Sequence, residues 1–210
     1  MLKVIEHPML KKYLGIMRNK DTKTNDFSQA ASSISEVLVY ELLRQEPLKK
    51  ILIDTPVKTG VEAHDLANDY VLVPIIRAGL VMLSEARRIL SDAKVMHVGI
   101  SRDGENEGKW ITYLNKIKTT NQNAHAIVLD PMLATGNSAV ATIKMLKQAG
   151  YQKISFLGII GVQEGVNNLE NNFGKDFPIY LAALDPELNS KNYIVPGLGD
   201  AGDRAFGTLD

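Results

Sequence analysis

The chain contains no cysteine, which excludes disulfides, thiolate nucleophiles and cysteine-based zinc sites. It has four histidines, and no two of them are spaced as a pair of metal ligands would be, so a histidine-built metal site is not expected either. Lys and Arg residues number 24, as do Asp and Glu residues. A chain with this balance has no net charge that would favour nucleic acid or a membrane surface.

Long apolar runs are also missing. None approaches the roughly 18 residues that a membrane-spanning helix needs, and residues 1–8 are too polar for a secretory signal. We therefore expect a cytoplasmic protein that binds neither a membrane nor nucleic acid. The hydrophobic share of 45% and the charged share of 23% are typical of a soluble globular protein with a full core.

Short apolar runs alternate with amphipathic stretches along the chain, which predicts an α/β fold around a parallel sheet. The helix at 24–45 has one apolar stripe, which covers the core or packs on a second subunit. Residues 1–23 carry mixed signals, 58–69 indicate a polar loop, and 193–204 indicate a glycine-rich loop. The predicted strands are 51–54, 71–76, 94–100, 110–117, 124–129, 154–162 and 179–184, and the other predicted helices are 81–90, 138–149 and 164–172.

The stretch 126–138 is a strand, a tight loop and a helix start in succession. Such a loop directs backbone N–H groups and a helix N-terminus at one point, where anions bind. Asp130 follows the strand, at the edge where α/β proteins place ligand-binding groups. The loop is not a Walker A motif, because no Gly-Lys-Ser/Thr follows. It predicts a site for a phosphorylated sugar, although a helix that is merely capped by Asn137 or Ser138 fits the pattern equally well.

Two further features surround this loop. Arg77 and Arg102 each follow a predicted buried strand, so both should project from the same sheet edge as Asp130. Arginine forks fit phosphate and pyrophosphate oxygens, although solvated surface arginines are the ordinary alternative. The segment 193–204 is rich in glycine, which suits a loop that closes the fold or one that reads a planar heterocycle through backbone groups.

One family resembles this chain over nearly its whole length. Type I phosphoribosyltransferases bind 5-phospho-α-D-ribose 1-diphosphate (PRPP) through a motif similar to VLDPMLATGNS at 128–138. Among them, uracil phosphoribosyltransferases have a version like DPMLATG, in which proline follows a single acid. Their uracil-binding segment resembles YIVPGLGDAGDRAFGT at 193–208, and their first arginine loop resembles PIIRAGL at 74–80.

The resemblance implies a type I phosphoribosyltransferase fold. This is a mostly parallel central sheet flanked by helices, with a projecting β-hairpin and a C-terminal base-binding hood at about 185–210. A single domain is expected, with an N-terminal helical arm at about 1–50. The implied reaction of pyrimidine salvage converts uracil and PRPP to UMP and diphosphate. Mg²⁺ is the expected cofactor, held mainly by PRPP and water. A homodimer or higher homo-oligomer is expected, and GTP is a candidate effector that the sequence leaves open.

The resemblance also implies residue roles. Asp130 would hold the ribose hydroxyls, the loop after Thr135 the 5′-phosphate, and Arg77 and Arg102 the pyrophosphate. Asp200 is a candidate for a contact to PRPP or its metal and for removal of the N1 proton, and with Arg102 it forms the catalytic pair. The remaining expected PRPP contacts come from Pro131, Met132, Leu133, Ala134, Thr135, Gly136, Asn137 and Ser138. The expected uracil contacts come from Ile194, Gly199, Asp200 and Ala201.

The chain departs from the family pattern at two places. Asn137 stands where the family usually has glycine, and asparagine tolerates left-handed backbone angles better than most residues. The predicted hairpin at 103–114 differs from the family's acidic, proline-containing pattern. Two other functions are less favoured: the balanced charge and the uracil-like segment argue against a regulatory protein of the same fold that binds UMP or RNA, and the tail argues against a transferase for another base such as a purine.

Overall fold

A computed structural model describes residues 1–102, 110–119 and 122–208, leaving aside the side chains of Arg102 and Trp110. The helices are α1 (Pro8–Arg18), α2 (Thr24–Leu43), α3 (Leu80–Ile89), α4 (Asn137–Gln148), α5 (Gln163–Phe173) and α6 (Ala201–Phe206). The strands are β1 (Leu2–Val4), β2 (Leu48–Ile53), β3 (Val61–Leu66), β4 (Tyr70–Ile76), β5 (Lys94–Val95), β6 (Val98–Arg102), β7 (Trp110–Asn115), β8 (His125–Leu129), β9 (Met132–Leu133), β10 (Ile154–Val162), β11 (Ile179–Asp185), β12 (Glu187–Leu188) and β13 (Ile194–Val195).

The main sheet has the strand order β1-β11-β10-β8-β4-β6-β7, with β5 beside β4 and β9 beside β10. Every pair in it is parallel except β6–β7. Strands β8 and β10 are buried along their whole length, as expected for parallel strands covered on both faces. Helices α1, α2, α3 and α6 contribute to the core on one face, and α4 and α5 to the core on the other. No helix within the described residues is long and apolar enough to cross a lipid bilayer.

The sequence predicts the centre of this fold well. The predicted strands at 71–76, 124–129, 154–162 and 179–184 are confirmed as β4, β8, β10 and β11. The helix predicted at 24–45 is α2, whose apolar stripe from Phe27 to Leu42 is buried within the chain. That stripe covers the core and does not need a second subunit. The mostly parallel sheet flanked by helices is thus confirmed.

Other predictions are wrong. Residues 58–69 are not a polar loop, because β3 pairs antiparallel with β2 in a separate two-stranded sheet. Both faces of this hairpin are largely exposed, so β3 lacks the apolar alternation that marks a half-buried strand. Residues 94–100 form two strands, β5 and β6, instead of one. The mixed stretch 1–23 contains β1 and α1, and the tail predicted to be a loop ends in the helix α6. Residues 103–109 of the predicted hairpin lie outside the described part of the chain.

A buried polar cluster occupies the amino edge of the sheet. Glu46 accepts hydrogen bonds from the Lys153 ammonium at 2.7 and 2.8 Å, and it lies 3.1 Å from His125 Nδ1. His125 Nε2 lies 2.8 Å from the Ser155 hydroxyl. Burial lowers the pKa of His125 to about 4, so the ring is neutral near pH 7, with its Nδ1–H directed at the carboxylate. The order Ser–His–Glu resembles a hydrolytic triad, but Ser155 is 2% exposed, and the cluster satisfies buried polar groups.

The turn between β4 and α3 packs directly on the strand that precedes Asp130. A methyl group at Gly79 would lie 2.3 Å from the Leu129 carbonyl oxygen and 2.6 Å from the Ile75 nitrogen. Both atoms belong to the backbone, which cannot move without moving the sheet. We expect Gly79→Ala to lower the free energy of unfolding by about 1–3 kcal/mol, as overpacking does, and to lower activity as well. Chemical denaturation measures the first effect.

Gly15→Ala is the matched control. Gly15 lies inside α1, and no atom lies within 4 Å of the methyl group that alanine would add. Alanine should therefore raise the free energy of unfolding by about 0.5–1 kcal/mol through its better helix propensity. Equal effects of the two substitutions on the free energy of unfolding would show that close packing does not exclude a side chain at position 79.

Candidate active site

Three neighbouring parallel strands bring the predicted site residues to one edge of the sheet. Strand β4 lies between β8 and β6, with Pro74 opposite Leu129 and Ile75 opposite Val98. Arg77 and Asp130 therefore follow the ends of adjacent strands. Arg102 ends β6, which places its backbone at the same edge, but its side chain lies outside the described part of the chain.

Asp130 is a buried carboxylate at this edge, 9% exposed. Its Oδ1 accepts a hydrogen bond from the Met132 N–H at 3.2 Å, and its Oδ2 accepts one from the Ser138 hydroxyl at 3.3 Å. Burial raises the pKa of Asp130 to about 7, while these two hydrogen bonds act in the opposite direction. The two hydrogen bonds therefore offset only part of the cost of burying the charge, a pattern found at functional sites.

The loop after Asp130 presents an uncapped helix N-terminus. Gly136 is the N-cap of α4 with φ 78°, and no side chain caps the helix. The first intrahelical bond joins the Val140 N–H to the Gly136 carbonyl, so the amides of residues 137–139 precede the helical ladder. The alternative in which Asn137 or Ser138 caps the helix is wrong, since Ser138 bonds Asp130 instead. Asn137 is the first helical residue, so the left-handed angle falls on Gly136 and not on Asn137.

The first half of the loop is tied to the sheet. The Pro131 carbonyl accepts hydrogen bonds from the Ile159 and Ile160 N–H groups at 3.1 and 3.0 Å. Met132 and Leu133 form β9, which pairs with β10, and Leu133 is buried. These residues therefore hold the loop in place. Residues Thr135, Asn137 and Ser138, which are half-buried or exposed, form the part that a ligand can reach.

Arg77 contacts the tail of the chain. Its Nη2 donates to Asp203 Oδ1 at 2.7 Å, and its Nη1 donates to the Thr208 hydroxyl at 3.2 Å. The Thr208 hydroxyl also donates to Asp203 Oδ1 at 2.7 Å. Hydrogen bonds from Thr208 and Arg77 lower the pKa of Asp203. The arginine loop and the glycine-rich tail are thus joined at the sheet edge that carries Asp130.

Two arginines fasten the tail to the body of the protein. Arg18 forms a bidentate pair with Asp185 at 2.8 and 2.6 Å and donates to the Gly197 carbonyl at 2.8 Å. Asp185 Oδ2 in turn accepts from the Gly197 N–H at 3.0 Å. Arg204, 7% exposed, bonds the carbonyls of Met17, Leu198 and Asn19 and lies 4.5 Å above the Phe27 ring centroid. The tail therefore has a defined shape.

Tight turns at two glycines give the tail this shape. Gly197 and Gly199 have φ values of 63° and 77°, and a methyl group at Gly197 would lie 2.1 Å from the Ile194 carbonyl oxygen. Ile194 and Ala201 are buried, whereas Asp200 is exposed. Asp200 is also the N-cap of α6, since its Oδ1 accepts from the Asp203 N–H at 2.9 Å.

Several contact residues were not singled out from the sequence. Arg18, Asp185 and Arg204 fasten the tail, Asp203 holds Arg77, and Asn168 contacts the loop that follows Asp130. Arg18 is 167 residues from Asp185, and Arg77 is 126 residues from Asp203. Asp203 and Arg204 stand inside the conspicuous glycine-rich tail, which was a usable signal. Arg18 and Asp185 carry no local pattern that reveals their pairing.

Comparisons with known proteins give a consistent result. The family model described as uracil phosphoribosyltransferase matches residues 4–208. A uracil phosphoribosyltransferase of Mycoplasmopsis pulmonis is 48% identical, covering 99% of this chain and 100% of the relative. The solved structure of the AQ2163 protein from Aquifex aeolicus superposes with a TM-score of 0.91 at 30% identity, covering 98% of each chain. The adenine phosphoribosyl transferase of Trypanosoma brucei shares the fold at 11% identity, with a TM-score of 0.58, covering 91% of this chain and 87% of that one.

Asparagine at position 130 should stabilise the free protein at alkaline pH. The pKa of Asp130 is about 7 in the folded state and about 4 when unfolded. The cost of burying the charge is present in full above pH 7 and disappears as the pH falls towards 4. Asp130→Asn should therefore raise the free energy of unfolding by about 1–4 kcal/mol at about pH 8.5, with little effect at about pH 4. Urea denaturation at both pH values measures the difference.

Asp185→Asn is the control with the opposite sign. It leaves the half-buried Arg18 guanidinium without its charged partner, and should lower the free energy of unfolding by about 2–4 kcal/mol. Destabilisation by Asp130→Asn at alkaline pH would contradict the assignment of Asp130 as a strained buried charge.

Proposed function

The chain belongs to the uracil phosphoribosyltransferase family, and we propose that the sheet edge formed by Arg77, Asp130 and the tail is where it converts uracil and PRPP to UMP and diphosphate. The observation that supports placing the reaction at this edge is the contact of Arg77 with Asp203 and Thr208. It joins an anion-binding arginine to the tail that resembles the family's uracil-binding segment. Asp130 and its loop follow the adjacent strand.

PRPP would lie across this edge. The N–H groups at the start of α4 suit the 5′-phosphate, because they precede the helical ladder and carry the positive end of the helix dipole. Asp130 would accept hydrogen bonds from the ribose hydroxyls, which requires its ionised form. Arg77 and Arg102 would bind the pyrophosphate as bidentate donors. Where the protein forms no covalent bond to the substrate, positioning and stabilisation of the developing charge account for most of the rate enhancement.

In the reaction, the bond from uracil N1 to C1 of the ribose forms while the bond from C1 to the pyrophosphate oxygen breaks. Negative charge develops on the departing pyrophosphate, and N1 loses its proton. Arg77 and Arg102 would stabilise the charge that develops on the leaving group. Asp200, exposed at the first turn of α6, is the candidate group near the base for the N1 proton or for a contact to PRPP or its metal.

Uracil would be read by backbone groups of Ile194, Gly199 and Ala201. The turn at 194–199 depends on glycines with positive φ, which lets main-chain donors and acceptors approach a planar base closely. A donor directed at O4 and an acceptor directed at N3–H would be left unpaired by cytosine, which presents the opposite pattern. Buried unpaired groups of this kind give strong discrimination.

Mg²⁺ fits the carboxylates of this edge. Within the described residues there is no group of three or more Asp, Glu or His side chains that could hold a metal. Mg²⁺ commonly keeps several waters and binds one or two carboxylates together with substrate phosphates. Besides Asp203, which already binds Arg77, the proposed site supplies the carboxylates of Asp200 and Asp130. When bound, the ion would neutralise part of the pyrophosphate charge.

Formation of UMP from uracil and PRPP in the presence of Mg²⁺ tests the function directly. We expect turnover with uracil and little with cytosine, hypoxanthine or adenine in the same panel. GTP added to the assay tests the candidate effector. Folded protein that forms no UMP, or that prefers a purine base, would overturn the assignment.

Asp200 has a structural role and a proposed chemical role, and two substitutions separate them. Asparagine caps helices as well as aspartate does, whereas alanine costs about 0.5–2 kcal/mol. Asp200→Asn should therefore keep wild-type stability but lose about 100-fold in kcat/KM, as for a group in proton transfer, while Asp200→Ala should lose both. Steady-state kinetics and thermal unfolding give the two readings. Near-wild-type activity of Asp200→Asn would limit the residue to its capping role.

We also propose that the chain forms a homodimer through the β2–β3 hairpin. Within the described residues β2 and β3 pair only with each other, and an isolated two-stranded ribbon is marginally stable in water. Leu52 and Val57 on this hairpin are 76% and 95% exposed. The ion pairs Lys49–Asp65 and Lys50–Glu62 neutralise its charges internally. A second copy related by a two-fold axis would cover these apolar residues, and it would not need to supply charged groups to do so.

Leu52→Glu tests this surface. It should convert the dimer to a monomer, because it would bury a charge in the interface. Met9→Glu replaces another partly exposed apolar residue, which lies on α1, and should leave the oligomeric state unchanged. Sedimentation velocity distinguishes the outcomes, and a wild-type monomer or an unchanged Leu52→Glu dimer would contradict the proposal.

A further inference from the structure

An asparagine of α5 contacts the loop at 130–138, which is proposed to bind the 5′-phosphate. Asn168 Nδ2 donates to the Thr135 carbonyl at 2.8 Å and to Asn137 Oδ1 at 3.1 Å. Both acceptors flank Gly136, the N-cap of α4. One side-chain amide therefore holds the two residues on either side of the left-handed turn that begins the proposed 5′-phosphate site.

The orientation of the Asn168 amide is itself determined. Asn172 Nδ2 donates to the Asn168 carbonyl at 2.9 Å and to Asn168 Oδ1 at 3.0 Å. Because Oδ1 accepts from Asn172, the NH₂ group must face the loop, where both atoms within reach are oxygens. The three asparagines form a directed chain of hydrogen bonds from Asn172 through Asn168 to Asn137.

The hydrogen bond to the Thr135 carbonyl also determines the direction of the Gly136 N–H group. The Thr135–Gly136 peptide bond is trans, since the cis bonds found are Ile76–Arg77 and Val195–Pro196. In a planar trans peptide the C=O and the N–H point in opposite directions. With the carbonyl held against α5, the Gly136 N–H must point away from α5. Rotation of this peptide would reverse that donor and direct a carbonyl oxygen to the opposite side.

The loop and α5 are also in close contact. A methyl group at Gly165 would lie 2.4 Å from the Ala134 carbonyl oxygen and 2.8 Å from the Leu133 carbonyl oxygen. A methyl group at Gly136 would lie 3.0 Å from the Gly165 carbonyl oxygen and 3.5 Å from Asn168 Cβ. The first turn of α5 therefore packs directly against the loop, which keeps Asn168, one turn further along the helix, within hydrogen-bond distance of it.

We propose that Asn168 is a positioning residue for the 5′-phosphate of PRPP, acting by holding the Thr135–Gly136 peptide and the Asn137 side chain in the arrangement that receives the phosphate. Asn137 supplies the second attachment point. This inference rests on the proposed function, because it concerns the same loop. It assigns Asn168 no contact with substrate.

Three variants test it. Asn168→Ala removes both hydrogen bonds to the loop and should raise KM for PRPP about 5- to 20-fold, as loss of one or two hydrogen bonds does. Asn168→Asp keeps the size but places a charged acceptor against the Thr135 carbonyl, and should raise it further. Asn167→Ala is the matched control, because Asn167 is the adjacent asparagine of α5 and bonds Gln163 rather than the loop; its KM should stay within about twofold.

Inhibition by fragments of PRPP can identify the affected subsite. Ribose 5-phosphate carries the 5′-phosphate but no pyrophosphate, so Asn168→Ala and Asn168→Asp should weaken its inhibition in parallel with KM for PRPP. Inhibition by diphosphate and KM for uracil should be unchanged. Equal losses for ribose 5-phosphate, diphosphate and uracil would indicate general disruption and overturn the inference, as would an unchanged KM for PRPP.

Coupling between the two asparagines provides a second check. Asn137→Gly removes one acceptor, so Asn168→Ala should have a smaller effect on KM for PRPP in the Asn137→Gly background, by about twofold or more. Strict additivity would contradict the role of Asn137. Thermal unfolding of each variant confirms that it is folded. Inactive wild-type protein would refute the proposed function, whereas active wild type with silent Asn168 variants would refute only this inference.

Discussion

The bidentate pair between Arg18 and Asp185 is the interaction on which the arrangement of the site depends. It joins the end of α1, the carboxyl end of β11 and, through Gly197, the glycine-rich tail. Parallel strands deliver side chains to their common edge, but they do not close it. The closing segment is the C-terminal tail, and Arg18 and the buried Arg204 hold it by binding its carbonyl groups. These two arginines thus shape the segment that we propose as the site for the uncharged base.

The two halves of the site are built differently. The half proposed to bind PRPP consists of strand ends and one helix start, whose positions follow from the register of β4, β8 and β10. The half proposed to bind the base consists of turns with positive φ and a short helix capped by Asp200. The first half is held by the pairing of the sheet. The second half is held by hydrogen bonds from side chains that are distant in sequence.

This difference explains how far the sequence could lead. Buried strands and amphipathic helices have strong periodic patterns, so the central sheet and the positions of Asp130 and Arg77 were predictable from strand ends. The strand predicted at 51–54 overlaps β2, but β3 and its pairing with β2 were missed because neither face of this hairpin is buried in the chain, which leaves little apolar alternation to detect. The helix α6 was missed because it is short, contains Gly202 and starts within a run of glycines. Asn168 and Asp185 were missed because their partners come from other elements, and no local spacing reports a contact across the fold.

The contact of Arg77 with Asp203 and Thr208 has a consequence for product release. In the free protein this guanidinium already has an anionic partner, so the pyrophosphate group that we propose it binds would replace a carboxylate instead of filling an empty cationic subsite. Exchange of one anion for another yields less net free energy than the neutralisation of an isolated charge. Under the proposed function, Asp203 would thus compete with diphosphate for Arg77 and would bind the guanidinium again when diphosphate leaves. An enzyme that must discharge a highly charged product after every turnover gains from such a competitor, because tight retention of diphosphate would slow the next cycle.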